Sequence, residues 1–331
     1  MEMLLSSLAI LSGFLLLIWS ADRFVMGASG IALNFGVSPL IIGLTIVGFG
    51  TSAPEMIVSG VAAYQGTPNL AVGNALGSNI TNIALVLGIT ALVTPLMVDS
   101  KILKREYPIM FMIMLIALGL LWDGELSHSD GYILIIGMFV LMGFITWMGL
   151  REKNRTHTPN NAQDPLDTEF SEEIPRDMPT RMAFLWLFIG LIVLLISSRL
   201  LIWGAVNIAH TFGVSDLVIG LTIVAIGTSL PELAASITSA LKGEHEIAIG
   251  NIIGSNMFNL LGVLGIPGIM TGAILDPSVL TRDYPVMIGL SVLFFVFAYG
   301  FKGKGGINRL EGALLLLCYT AYMIVIYQQS T

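Results

Sequence analysis

Apolar residues run through this chain in long stretches, not in the two-residue alternation of half-buried strands or the one-sided stripe of soluble helices. Ten stretches stand out, near residues 4–20, 39–64, 70–95, 108–122, 131–149, 182–203, 217–241, 247–270, 285–300 and 310–327. A helix needs about 20 apolar residues to cross a bilayer, so the pattern predicts an all-α membrane protein with ten transmembrane helices. The first stretch begins directly after Met1–Met3, with no basic segment ahead of it and a weak cleavage context, and is read as a retained helix. An even number of spans places both termini on one side.

Polar positions between the stretches set the orientation, because cytoplasmic loops are enriched in Lys and Arg. Twelve such residues, among them Lys101, Lys104, Arg105, Arg151, Lys242, Lys302 and Arg309, fall in one set of loops, and only Arg282 falls in the other. Arg23 and Arg199 stand at predicted span ends and are read as snorkelling to the interface. The loops after spans 1, 3, 5, 7 and 9 are therefore assigned to the cytoplasm and both termini to the outside. Residues 151–181 form the one long polar segment. Its acidic cluster (Asp164, Asp167, Glu169, Glu172, Glu173) lacks the spacing of a Ca²⁺ loop and is read as a solvated tether.

Composition sharpens this picture. Of 331 residues, 55% are hydrophobic and 11% charged, with a mean hydropathy of +0.86, against about 25% charged in soluble domains. A net charge of −7 with no basic run excludes nucleic acid as a partner. The single Cys318 excludes a disulfide framework and a cysteine-held metal.

The chain also repeats itself. At an offset of 177, Gly36–Asn82 aligns with Gly213–Asn259 without a gap, and 25 of the 47 positions are identical. The likeness continues weakly to Arg105-Glu106-Tyr107-Pro108 against Arg282-Asp283-Tyr284-Pro285. The matches concentrate on Gly, Thr, Ser, Asn, Pro and Glu, where a duplication kept for packing would retain apolar positions. Each copy holds five spans. An odd number forces the second copy through the membrane in the opposite sense, the inverted-repeat plan of secondary transporters, whose substrate sites lie near the midplane between the copies. The expected division is 1–150 for the first repeat, 151–181 for the cytoplasmic loop and 182–331 for the second repeat.

Two motifs recur. In Gly50-Thr51-Ser52-Ala53-Pro54-Glu55 and Gly227-Thr228-Ser229-Leu230-Pro231-Glu232, a mid-span proline lacks an N–H and frees the carbonyl of Gly50 or Gly227. Hydroxyls and a carboxyl gather at the break, which a bilayer tolerates only where protein or a polar cavity receives it. Glu55 and Glu232 are the carboxylates nearest span centres; Asp22, Asp123, Asp130, Asp216 and Glu311 fall at predicted ends, and no Lys, Arg or His is expected at comparable depth. A charge there costs about 2.5–3.5 kcal/mol on insertion scales, so protonation or a bound cation must offset it. Paired carboxylates among neutral oxygens suit Ca²⁺, which takes six to eight oxygen ligands; two protonated glutamates acting as hydrogen-bond donors are the alternative. The absence of midplane His and Cys argues against zinc or copper. In GNALGSNITN (73–82) and GNIIGSNMFN (250–259), Ser78 with Asn82 and Ser255 with Asn259 lie four apart on one helix face. Gly73 with Gly77, and Gly250 with Gly254, would let helices approach closely.

The paired GTSxPE and GNxxGSN signatures, in register across nearly the whole chain, resemble the cation/calcium exchanger superfamily. The resemblance implies a ten-helix antiporter of compact bacterial type, with spans 2, 3, 7 and 8 around the ions and spans 1 and 6 as a sliding gate. Carried over by position, it implies Thr51, Ser52, Glu55, Ser78, Asn82, Thr228, Ser229, Glu232, Ser255 and Asn259 as ligands, with backbone carbonyls near Gly48 and Ala225. The Thr-Ser pair before the motif glutamate is similar to the sodium/calcium branch, whereas the proton-coupled branch carries GNxxE. Archetypal members have an Asp at one of the positions held here by Asn82 and Asn259, which leaves two carboxylates in the site. The expected activity is exchange of Ca²⁺ for Na⁺ across a bacterial inner membrane, with no cofactor and no enzymatic step; Ca²⁺/H⁺ exchange and a Ca²⁺ channel are the transport alternatives. An intramembrane aspartyl protease would need Asp in a GxGD setting, which is missing.

Overall fold

The computed structural model describes residues 2–153, 178–212, 225–299 and 305–330. The acidic cluster of the tether and residues 213–224, where the segment aligned with Gly36–Asn82 begins, lie outside them. The described chain is mostly helical. In order it forms α1 (Glu2–Phe35), α2 (Pro39–Tyr64), α3 (Pro68–Val93), β1 (Leu96–Met97), α4 (Glu106–Leu121), β2 (Glu125–Leu126), α5 (His128–Lys153), α6 (Thr180–Thr211), α7 (Leu230–Leu241), α8 (His245–Met270), β3 (Ala273–Ile274), α9 (Val279–Ala298), β4 (Gly306–Ile307) and α10 (Arg309–Ser330). Eight helices among the described residues are long and apolar enough to cross a membrane. The 16-residue α4 and the described 12 residues of α7 fall short of that length. The chain is a multi-pass membrane protein.

The two largest departures from the predicted spans are α1 and α6, at 34 and 32 residues. Polar residues ended the apolar stretches there without ending the helices. Arg23 and Arg199 consequently lie well inside continuous helices. Arg23 keeps its place by setting its guanidinium 4.9 Å from the Trp186 ring centroid and 5.9 Å from that of Trp19, while neighbouring Asp22 pairs with Lys242 at 2.7 Å.

Burial separates an inner group from an outer one. Every residue in the apolar window of α8 is buried, with 67% in α2 and 72% in α3, against 28% in α1, α5 and α6 and 17% in α10. A helix that is apolar all round and also buried all round must lie inside the protein rather than against lipid. Outside this group α1 and α6 run against each other with backbones nearly touching. A Cβ on Gly190 would stand 2.5 Å from the Phe24 nitrogen, one on Gly204 2.7 Å from the Ser6 oxygen, and one on Gly27 would collide with the Leu187 backbone.

Contacts between the two repeat copies come in matched pairs. Tyr107 Oη donates to the Ser291 carbonyl at 2.9 Å and Tyr284 Oη to the Met114 carbonyl at 2.8 Å; an offset of 177 turns one bond into the other. The same offset relates Gly13 against Leu201 to Gly190 against Phe24. It also relates Asn79 Nδ2 on Met287 Sδ to Asn256 Nδ2 on Met110 Sδ. The antiparallel pairs β1–β4 and β2–β3 each join one strand from either copy. Reciprocity of this kind, in which i meets j and j meets i, is what a two-fold relation produces. The relation is not complete among the described residues. Ala234 of α7 packs against the Leu17–Ala21 cluster on α1, whereas its counterpart on α2, Ile57, is 59% exposed.

Candidate functional site

Both glutamate motifs fall at helix breaks. In α2 the segment Gly48–Thr51 ends at Ser52 (φ −82°, ψ 0°) and a new helix starts at Ala53, with Pro54 in its first turn. In the second copy Ala225–Thr228 ends at Ser229 (φ −91°, ψ 8°) ahead of α7, with Pro231 in the first turn. A proline is tolerated there because the first-turn N–H groups have no helical partner. The expected freeing of the Gly227 carbonyl is only partly realised: Ser198 of α6 donates its hydroxyl to it at 3.0 Å. The Gly48 carbonyl accepts the Ser52 amide at 3.1 Å and the Ser255 hydroxyl at 3.3 Å.

The asparagine motifs coincide with a change of helix type that the sequence did not announce. From Asn82 to Val86 α3 widens into a π-helical turn, and α8 does the same from Asn259 to Val263. Such turns gather at functional sites. Both asparagines stand at the first residue of the widened turn and are fully buried. The second half of α2 packs against the π turn of α8, and α7 packs against the π turn of α3. Each glutamate helix thus meets the asparagine-bearing turn of the other copy.

Glu55 and Glu232 are each 1% exposed and lie close enough to interact electrostatically. Ser52 donates its hydroxyl across the copies to Glu232 Oε1 at 3.4 Å. The other polar atoms of this group have no hydrogen-bond partner in the protein: both oxygens of Glu55, Oε2 of Glu232, both side-chain polar atoms of Asn82 and of Asn259, and Oγ of Ser229. Buried polar groups are normally paired, and each orphan costs about 1–3 kcal/mol, so a cluster of them marks a place made to receive something else. Among the described residues no third His, Cys, Asp or Glu joins the two carboxylates. Arg199, exposed on α6, is the cationic side chain whose charge is felt at Glu55, but the described ion pairs do not include the two.

The hydroxyl residues of the motifs take the following places. Thr51 and Ser255, both 0% exposed, place their hydroxyl oxygens 3.3 Å apart. Ser78 is buried one turn ahead of Asn82 on α3, and Thr228 ends the segment before the break. Sequence reasoning passed over four further residues. Asn74 Nδ2 donates to the Glu55 carbonyl at 3.1 Å and to Ser59 Oγ at 3.2 Å. Asn251 Nδ2 donates to the Glu232 carbonyl at 3.2 Å and to Ser236 Oγ at 2.9 Å. The signal was present, since all four are identical between the copies. Of the glycine pairs, Gly250 and Gly254 do meet α2, where added Cβ atoms would strike the Leu40 and Leu44 backbones. The counterpart partners of Gly73 and Gly77 fall outside the described residues.

Comparison with known proteins places this arrangement. The chain is 42% identical over 328 residues to the inner membrane protein YrbG of Escherichia coli, covering 99% of this chain and 98% of the relative. It is 31% identical over 352 residues to the sodium/calcium exchanger MaX1 of Methanosarcina acetivorans, covering 97% and 98%. Its fold matches a solved structure of the sodium-calcium exchanger NCX_Mj soaked with zero Na⁺ and Ca²⁺ at a TM-score of 0.80 and 32% identity, over 98% of this chain and 99% of that one. The family model described as sodium/calcium exchanger protein matches residues 5–147 and 182–328. With both halves covered, the chain belongs to the sodium/calcium exchanger family of the cation/calcium exchanger superfamily.

Proposed function

We propose that the chain is a secondary antiporter that moves Ca²⁺ across a bacterial inner membrane in exchange for Na⁺, by alternating access between two inverted five-helix repeats, 1–150 and 182–331. The observation that carries this reading is the pair of fully buried carboxylates, Glu55 and Glu232, set among unpartnered amide and hydroxyl oxygens. Two like charges in a low-dielectric interior oppose folding unless something neutralises them, and a divalent cation matches their summed charge. Ca²⁺ would bridge the two carboxylates and complete its shell with oxygens drawn from Thr51, Ser52, Ser78, Asn82, Thr228, Ser229, Ser255 and Asn259. Na⁺ on the same oxygens would displace it. Competition for shared carboxylates then supplies the coupling, since both cargoes at once would overload the site.

The matched contacts between the copies support an inverted ten-helix plan, and the asymmetry between Ala234 and Ile57 supports one of two access states. In this conformation α1 covers α7 and pairs Asp22 with Lys242, sealing one end, while Ile57 on the related surface stays open. Transport would exchange those roles as α1 and α6 move together. The Lys and Arg count assigns the loop 151–181 to the cytoplasm and both termini to the outside. Ca²⁺/H⁺ exchange is the second reading, favoured by one observation: both oxygens of Glu55 and Oε2 of Glu232 lack a hydrogen-bond partner, and carboxylates so placed can also be discharged by protons. Proteoliposomes challenged with radiolabelled Ca²⁺ against a Na⁺ gradient and, separately, a pH gradient decide between them. Uptake driven by Na⁺ and indifferent to pH is expected; uptake driven by pH alone would replace Na⁺ with H⁺.

A further inference from the structure

Asn251 occupies a position that the ligand set does not use. It is fully buried on α8, and its carboxamide is engaged on both sides. Nδ2 donates to the Glu232 carbonyl and to Ser236 Oγ, while Oδ1 accepts the Thr51 hydroxyl at 3.0 Å. The orientation of the amide follows from chemistry, because a carbonyl only accepts; the NH₂ must face Glu232, which turns the oxygen toward Thr51. One side chain therefore ties the backbone of the second copy's glutamate to the hydroxyl of the first copy's motif.

We propose that Asn251 is a positioning residue for the cation site, acting through Thr51 and the Glu232 backbone without touching the ion; this rests on the Ca²⁺ reading above. A hydroxyl oxygen coordinates a cation only when its proton is directed elsewhere. Thr51 has one proton and several neighbours within reach: Asn251 Oδ1, the carbonyls of Val47 and Gly48 at 3.1 and 3.4 Å, Ser255 Oγ at 3.3 Å and, beyond these, the Glu232 carboxylate. The carboxamide oxygen is the nearest. Accepting that proton leaves the Thr51 lone pairs for the ion, in the way that outer partners of metal ligands fix ligand orientation. The donor side holds the first turn of α7, from which Glu232 projects. Neither contact adds charge, so Asn251 sets geometry and not valence.

Equilibrium binding of radiolabelled Ca²⁺ to the purified full-length protein tests this, with wild type, Glu232→Gln, Asn251→Ala, Thr51→Ala and the Asn251/Thr51 double variant side by side. Asn251→Ala is expected to weaken Ca²⁺ binding about 10- to 100-fold, the range for outer-partner losses. The double variant is expected to lose less than the product of the two single losses, because the Thr51 route is shared while the Glu232 route is not. Should the alanine variant not be recovered folded, Asn251→Ser, which is too short to span both partners, is measured in its place with the same expectation. Asn251→Ala binding within about twofold of wild type, or a loss that adds in full to that of Thr51→Ala, overturns the proposal. Wild type binding Ca²⁺ while Glu232→Gln does not, with Asn251→Ala unaffected, sinks this inference alone; wild type failing to bind Ca²⁺ sinks the reading beneath it.

Discussion

Replacing Glu55 with Gln keeps the shape of the side chain and removes one of two buried charges, and the cation reading then predicts opposite effects on stability with and without Ca²⁺. Neither Glu55 oxygen has a partner in the protein, so the substitution breaks no protein hydrogen bond. Removing a mid-membrane charge relieves about 2.5–3.5 kcal/mol on insertion scales, reduced by whatever the unpaired amide of Gln costs in its place. The cation-free variant should therefore unfold at or above the wild-type temperature. Ca²⁺ at a hundred times its dissociation constant should stabilise the wild type by about 2.7 kcal/mol, roughly 4 °C for a chain of 331 residues. The variant should show none of that increment. Thermal unfolding of detergent-solubilised protein, in chelator and in Ca²⁺, reads both quantities. A variant less stable than wild type in chelator, yet still stabilised by Ca²⁺, would mean that Glu55 is a protonated structural hydrogen-bond donor, and the reasoning from charge would fail.

Further outcomes follow from the same geometry. Gly190→Ala puts a Cβ 2.5 Å from the Phe24 nitrogen, so α1 and α6 must separate; overpacking of this kind costs about 1–3 kcal/mol. Flux assays should show a several-fold slower turnover with Ca²⁺ binding unchanged, and an unaltered rate would argue against close α1–α6 contact in transport. Glu244, in the turn between α7 and α8, is pushed up to about 7 by burial and then by the neighbouring Glu246 carboxylate, with Lys242 opposing. A raised carboxyl stabilises the fold fully below its unfolded value near 4.5 and loses that contribution as the pH climbs through 7. The unfolding temperature should therefore fall between pH 5 and pH 8, and Glu244→Gln should flatten that part of the profile; an unchanged slope would assign the dependence to other groups.

Much of this was legible in the sequence because hydrocarbon is an unforgiving solvent. The spans over 39–64 and 247–270 agree closely with α2 and α8, and Glu55 and Glu232 declared themselves by standing where charge is expensive. Hydropathy failed where a helix runs on past a polar residue. Asp22 and Arg23 interrupt the apolar stretch of α1 but not its backbone bonding, since Lys242 and Trp186 from other parts of the chain, with Trp19 one turn back, satisfy them. The π turns at Asn82 and Asn259 were hidden for a different reason: the register of a backbone ladder is set by tertiary packing and leaves no mark in side-chain periodicity. Asn74 and Asn251 sat within a motif already noticed, yet their roles need a third dimension, because their partners lie 15–19 residues away along the chain, or 200 away at Thr51.

The most direct measurement is uptake of radiolabelled Ca²⁺ into Na⁺-loaded proteoliposomes carrying wild type, Glu55→Gln or Glu232→Gln at equal folded density. Wild type should accumulate Ca²⁺ only while the outward Na⁺ gradient lasts, and each single variant should fall to the level of empty vesicles. Near-normal uptake through either variant would show that Ca²⁺ crosses without both carboxylates.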